Sequence, residues 1–321
     1  MTLQAPFPWF GGKAKVAATI WDRLGLVQNY VEPFFGSGAV LLSRPEPFPG
    51  VETINDACGF VANFWRAIQA APEEVAAFAD WPVNEADLEA RHYWLVTEGR
   101  ETLARILGDP HGFEAKIAGW WCWGLCAWIG SGWCSGEGPW RWEGEWRQLP
   151  HLSAGQGINR KLPHVGDAGQ GIHGWFDRLC ARLRSVRVCH GDWSRVTGDT
   201  VTWRHGLTGV FLDPPYGAEA GRTDGLYATD DLTVALKARE WALEAGKRPD
   251  MRICLAGYEG EHDMPGWSTV RWKAKGGYGS QGEGRGRENA ERETLWFSPH
   301  CLAGRQGDLF SYSSAFVGAA E

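Results

Sequence analysis

Short apolar runs that end on a carboxylate or a glycine alternate with amphipathic runs at both ends of this chain. The pattern fades in the middle. Nothing else in the sequence limits the fold as much, because a strand–turn–helix succession builds a sheet with helices on its faces. YVEPFFGSGAVLLSRP (30–45) reads as a strand, a glycine turn and a helix start. VETINDACGFVANFWRAI (51–68) reads as strand, turn and helix, with apolar residues in helical spacing from Phe60 to Ile68. GWFDRLCARLRSV (174–186) is an amphipathic helix, and VRVCHGDW (186–193) is a strand ending on Asp192. TGVFLDPPY (208–216) is a further strand, and DLTVALKAREWALEAG (231–246) a helix stopped by a glycine. MRICLAGYEG (251–260) is a strand, and GWSTVRWKA and ERETLWFSP form a closing antiparallel pair. The predicted fold is therefore a doubly wound α/β sheet. Residues 72–108 are predicted helical and 119–174 are weakly patterned, so 71–185 reads as a mainly helical insertion into a domain made of 1–70 and 186–321.

The 321 residues suffice for one full core or a domain with an insertion. The net charge of −7 excludes a polycation, so any nucleic-acid surface must be a local patch. The opening residues MTLQAPFPWFGGK hold neither a basic region nor an apolar core of a leader, so a cytoplasmic location with reduced thiols is expected. Cys122, Cys126 and Cys134 lie close together, but their spacing fits no zinc pattern and no histidine is near, so no metal is expected. The run from Ile117 to Gly136 carries no charge. Its flanks belong to one sheet and must lie on one side of any bilayer, so it reads as buried or interface-forming helix and loop.

Chemistry gathers at the strand ends. In EPFFGSGAVLL the glycines let a ligand approach the backbone. Some twenty residues on, INDA ends the next strand with Asp56, where an acid in a nucleotide-binding α/β unit takes ribose hydroxyls. VFLDPPYG sets Asp213, two rigid prolines and Tyr216 at the end of another strand. Strand termination by the prolines and a turn cap by Asp213 are the alternative reading of this last stretch in isolation.

In their order, PFPWFGGK, EPFFGSG, INDA, GDW and DPPY resemble the motifs of the Dam-type (D12 class) DNA adenine-N6 methyltransferases, which use S-adenosylmethionine. The resemblance covers roughly residues 5–70 and 186–300. It implies a Rossmann-like methyltransferase sheet with an inserted target-recognition domain. Trp9 and Lys13 correspond to residues over the cofactor's methionine end, and Phe35, Gly36, Ser37 and Gly38 to the cofactor loop. Asp56 corresponds to the ribose acid, and Asp192 to the acid that binds the cofactor's adenine amine, with Trp193 beside that ring. Asp213, Pro214, Pro215 and Tyr216 correspond to the catalytic motif.

Double-stranded DNA is the expected partner, and a monomer or weak dimer the expected state. Residues 141–187 hold eight Lys/Arg against four acids, and 271–292 hold six against three. Arg160, Lys161, Lys273, Lys275, Arg285 and Arg287 are the candidate phosphate contacts. GATC-reading relatives tend to carry Asn and Arg in a segment resembling WGLCAWIGSGW, where this chain has Trp123 and Ala127, so GATC is not carried over. Trp123, Trp128 and Trp133 read either as wedges into DNA or as core. A cytosine-N4 methyltransferase and a non-catalytic DNA-binding protein with the same fold remain alternatives at this stage.

Overall fold

The computed structural model describes residues 3–9, 11–46, 48, 50–109, 111–129, 133–134, 142–143, 146–147, 157–158, 171–215, 233–273 and 293–304. In chain order the strands are β1 (Asn29–Glu32), β2 (Val51–Asp56), the two-residue pieces β3 (Trp128–Ile129), β4 (Trp142–Glu143), β5 (Trp146–Arg147) and β6 (Gly157–Ile158), then β7 (Arg187–His190), β8 (Thr208–Leu212), β9 (Met251–Tyr258), β10 (Ser268–Arg271) and β11 (Glu293–Phe297). Seven of them form one sheet in the order β10-β11-β9-β8-β1-β2-β7. The run from β7 to β9 is parallel, whereas β11 pairs antiparallel with both β9 and β10. After β1 the chain goes to β2 on one side, and later to β8 on the other. This reversal opens a crevice beyond the carboxyl end of β1, where open α/β sheets bind ligands.

Residue type explains the sheet. β1, β8 and β11 are buried along their whole length, as strands covered on both faces must be. Alternate residues divide between two cores: Phe211, Cys254, Leu295 and Phe297 face one, while Val210, Leu212, Leu255 and Trp296 face the other. The edge strands β7 and β10 are half-exposed or exposed.

The larger core is built from α1 (Ala17–Leu24), α2 (Ala39–Leu42), α3 (Gly59–Ala70), α4 (Pro72–Ala79), α5 (Glu85–Trp94), α6 (Arg100–Ile106), α7 (Ala115–Ala127) and α8 (Gly171–Leu183); α9 (Val234–Ala245) covers the other face. Local chemistry sets the helix starts. Pro72 opens α4 with Glu73 and Glu74 in its first turn, and the Asn84 side chain caps α5 by accepting the Asp87 N–H. A π-helical turn, Leu95–Gly99, joins α5 to α6. Asn63 of α3 ties down the start of α7: its side chain donates to the Glu114 carbonyl at 3.0 Å and accepts the Glu114 N–H at 2.9 Å.

The uncharged run is thus largely the helix α7, with Trp121, Cys122, Trp123, Cys126 and Ala127 buried. Among the described residues no helix is long and apolar enough to cross a membrane. Trp123, Trp128 and Trp133 are core residues, and the wedge reading is not needed for them. The Trp123 indole donates to the Trp81 carbonyl, and Trp133 to that of Trp121. One member of the predicted basic patch is also internal. Arg182 pairs with Glu52 through both carboxylate oxygens at 2.7 and 2.8 Å, and Arg44 reaches Glu52 at 2.7 Å. Arg182 is therefore a structural ion-pair partner, because a buried carboxylate between two guanidiniums keeps it from the surface.

Candidate active site

The carboxyl ends of β1, β2, β7 and β8 carry the loops in which the candidate residues sit. After β1 the chain turns through Gly36 and Gly38, both at positive φ (48° and 72°). A Cβ on Gly36 would lie 2.3 Å from Trp9 Nε1, so the indole rests directly on the loop backbone. The Trp65 indole donates to the Gly36 carbonyl from beneath at 2.9 Å. Phe35 points into the core, edge-on to Trp65 with ring centroids 5.0 Å apart. Its neighbour Phe34 is half-buried and lies 5.9 Å from the Trp193 ring. Ser37 is buried. The helix that follows, α2, has only four residues.

Asp56 closes β2. Its Oδ2 accepts the Gly36 N–H at 2.9 Å and its Oδ1 the Cys58 N–H at 2.8 Å. Burial pushes its carboxyl up to about 6, against the lowering effect of these two N–H donors. Asn55, which the sequence reading did not single out, is fully buried and stitches two loops together. Its amide donates to the Pro33 carbonyl at 3.1 Å and to the Gly191 carbonyl at 2.9 Å. An amide residue directly before a strand-end acid was the available signal. Asp192, after β7, is exposed and caps the turn Trp193–Val196 by accepting the Ser194 N–H and hydroxyl.

Asp213 follows β8 directly, with Pro214 buried and Pro215 half-buried. Lys13 reaches it across 200 residues of sequence, with Nζ 2.9 Å from Oδ2 and 2.9 Å from Oδ1. The ammonium is 2% exposed and also donates to the Gly11 carbonyl at 2.7 Å. Burial works against its charge, but Asp213 and Glu293 together hold its pKa above the ordinary lysine value. Tyr216 lies outside the described residues, as do Arg160, Lys161, Lys275, Arg285 and Arg287. Lys273 is described: it is exposed and follows Trp272, whose ring centroid lies 6.0 Å from Lys13 Nζ. The eight cysteines are free thiols, with Cys122, Cys126 and Cys134 buried in the core.

Residues 9–97 match the model of the D12 class N6 adenine-specific DNA methyltransferase family. That span contains the Trp9–Lys13 motif, the glycine loop, Asn55 and Asp56; Asp192 and Asp213 lie beyond it. The family is one of enzymes, and the match supports methylation of adenine in DNA by this chain, with S-adenosylmethionine as the donor that the family generally uses. The α/β architecture with its seven-stranded sheet agrees with a Rossmann-like methyltransferase fold. No curated protein matches the chain significantly.

Proposed function

We propose that this chain transfers a methyl group from S-adenosylmethionine to N6 of an adenine extruded from duplex DNA, at a particular sequence. The observation that carries the reading is convergence. Lys13 meets Asp213 and the Gly36 loop meets Asp56 beside the reversal of strand order, and Asn55 ties the loop before Asp192 to the loop after β1. The residues suit the donor. Gly36 lies against the Trp9 indole and Gly38 against the Phe35 ring, both at positive φ in the loop proposed to take the donor. Asp56 keeps carboxylate lone pairs for ribose hydroxyls beyond the two N–H groups it already accepts. Phe34 and Trp193 form an aromatic wall beside Asp192. S-adenosylmethionine, when bound, supplies a methyl group activated by a positively charged sulfur.

The chain's own groups prepare the amine. The lone pair of an adenine N6 is delocalised into its ring, which makes it a poor nucleophile. Asp213 accepts one N–H and the Pro214 carbonyl the other, and both bonds favour a pyramidal nitrogen with a localised lone pair. The prolines fix the direction of that carbonyl because their φ is locked. Tyr216 offers a flat face to the extruded base. Positioning and electrostatics dominate, and no strong base is required because the proton leaves after attack. The recognition segment lies within residues 71–185 but apart from the core-packed faces of α4, α7 and α8, and Lys273 and its basic neighbours hold phosphates.

Incubation with duplex DNA and the donor, followed by nucleoside digestion and mass spectrometry, tests the reading. N6-methyladenine is expected, clustered at one sequence when the DNA is mapped. N4-methylcytosine would reassign the target base, and unmodified DNA despite tight donor binding would overturn catalysis.

A further inference from the structure

Asp213 does not face the crevice with both oxygens idle. Each lies 2.9 Å from the Lys13 ammonium. To accept an N–H from the target amine, Asp213 must give up part of that pairing. The lysine cannot simply be left behind: its side chain is 2% exposed, and a buried ammonium without a compensating charge is strongly destabilising. A second carboxylate stands within reach. Glu293, the first residue of β11, has Oε2 3.7 Å from the same Nζ, and its side chain is 5% exposed. The backbone fixes its position. Glu293 lies opposite Tyr258 in the β9–β11 register, and its carbonyl accepts the Trp272 N–H at 3.0 Å. A shift of Nζ by about an ångström would bring the ion pair to hydrogen-bond length. Neither the family match, which ends at residue 97, nor the motif reading assigns Glu293 a role.

Resting on the methyltransferase reading, we propose that Glu293 is a positioning residue of the site: it takes over the Lys13 ammonium when Asp213 turns to the target amine. Lys13 then moves between two carboxylates instead of losing its partner. The more exposed carboxylate, Asp213 at 20%, is freed for substrate, while the buried Glu293 retains the charge. Among the described residues Asp213, Glu293 and the Cys254 thiol act on Lys13, and the buried Glu32 acts on Asp213.

Two arms test this. In the first, lysine side chains are labelled with 15N and Lys13 is titrated by NMR in the DNA-free protein. Asp213→Asn imitates withdrawal of the catalytic acid. Lys13 should stay protonated at neutral pH in that variant, and its pKa should fall by about one unit or more when Glu293→Gln is added. An unchanged titration on adding Glu293→Gln would overturn the proposal. In the second arm, single-turnover methyl transfer is measured with Glu293→Gln and Glu293→Asp. The Gln variant should lose about tenfold to a hundredfold in rate with cofactor Kd and melting midpoint nearly unchanged. The Asp variant should recover part of the loss, and Glu293→Gln should add little to Lys13→Met. A wild-type rate in Glu293→Gln, or a loss that follows the melting midpoint, would also overturn it. If the wild-type protein methylates no DNA, the methyltransferase reading fails, while the titration still decides whether Glu293 holds Lys13.

Discussion

Asp213 and Asp56 are both carboxylates at strand ends, but their surroundings give them different work. Asp213 is paired with a buried lysine and partly exposed, so on the proposed reading its loss should strike turnover and spare cofactor binding. Asp213→Asn is expected to lower methyl transfer by about 10²–10⁴-fold with cofactor Kd changed less than about threefold; wild-type turnover would remove Asp213 from the chemistry. Asp56 instead braces the glycine loop, each oxygen accepting one N–H, and on the proposed reading its remaining lone pairs take the ribose hydroxyls. Asp56→Ala should weaken cofactor binding by about 1.5–3 kcal/mol, measured by calorimetry. The carboxyl, raised to about 6, gives this binding a pH signature. Ribose hydroxyls donate best to the ionised form, so affinity should decline as pH falls below about 6. Asp56→Ala should abolish that dependence.

At the scale of elements, α7 is held by what it buries. Trp123 is wholly buried, donates to the Trp81 carbonyl at 2.9 Å and stacks under the Arg91 guanidinium, which lies 4.4 Å from its ring centroid. Burial brings Arg91 down to about 10, and three indoles, those of Trp81, Trp120 and Trp123, surround it. Gly124 is needed on the same helix, since a Cβ there would lie 1.8 Å from Trp133. Trp123→Ala should cost about 3–5 kcal/mol in urea unfolding, the usual loss for an aromatic removed from a packed core. Where the protein still folds, the methylated sequence should be unchanged. An altered sequence preference with full stability would restore the wedge reading.

At the scale of the molecule, buried histidines and buried carboxyls pull stability in opposite directions as pH changes. Burial holds His92, stacked on Trp128, and His262, packed edge-on to Trp296, down at about 4 from the ordinary 6.5. A depressed histidine contributes stability that is complete above the unfolded value and lost as pH falls toward the folded one. Asp56 acts oppositely: its contribution is complete below 3.8 and fades as pH rises toward about 6. Glu32, buried and also raised, acts with Asp56, and His190, also lowered by burial, acts with the other histidines. The part played by His92 and His262 is therefore read by difference: between pH 6.5 and about 4 the urea midpoint of His92→Phe with His262→Phe should fall less, or rise more, than that of the unaltered protein, and identical pH profiles would remove the two histidines from the balance. DNA affinity belongs to the same scale. Arg160→Ala with Lys161→Ala should reduce the salt slope of duplex binding by about 0.9 for each phosphate no longer neutralised, with cofactor affinity unchanged. An unchanged slope would move the DNA path to residues 271–292.

The sequence alone determined the sheet and the strand-end acids, because both are written in short stretches. Alternation of apolar runs marks β1, β2, β7, β8 and β9, and a turn after each of the first four leaves a glycine or an acid at its carboxyl end. Only the tertiary structure decided what those acids touch. The Lys13–Asp213 pair spans 200 residues, and no local pattern records such a pairing. Glu293 looks like an ordinary strand residue until the β9–β11 register brings it to the same ammonium. Arg182 counted as surface charge until the packing of α8 against α3 and α4 brought it to Glu52. The tryptophans allowed two readings because an indole suits a core and a stack of bases equally well. Packing against α3, α4 and the N-terminal motif resolved Trp121 and Trp123 as core, since a ring already surrounded by side chains has no face left for a base.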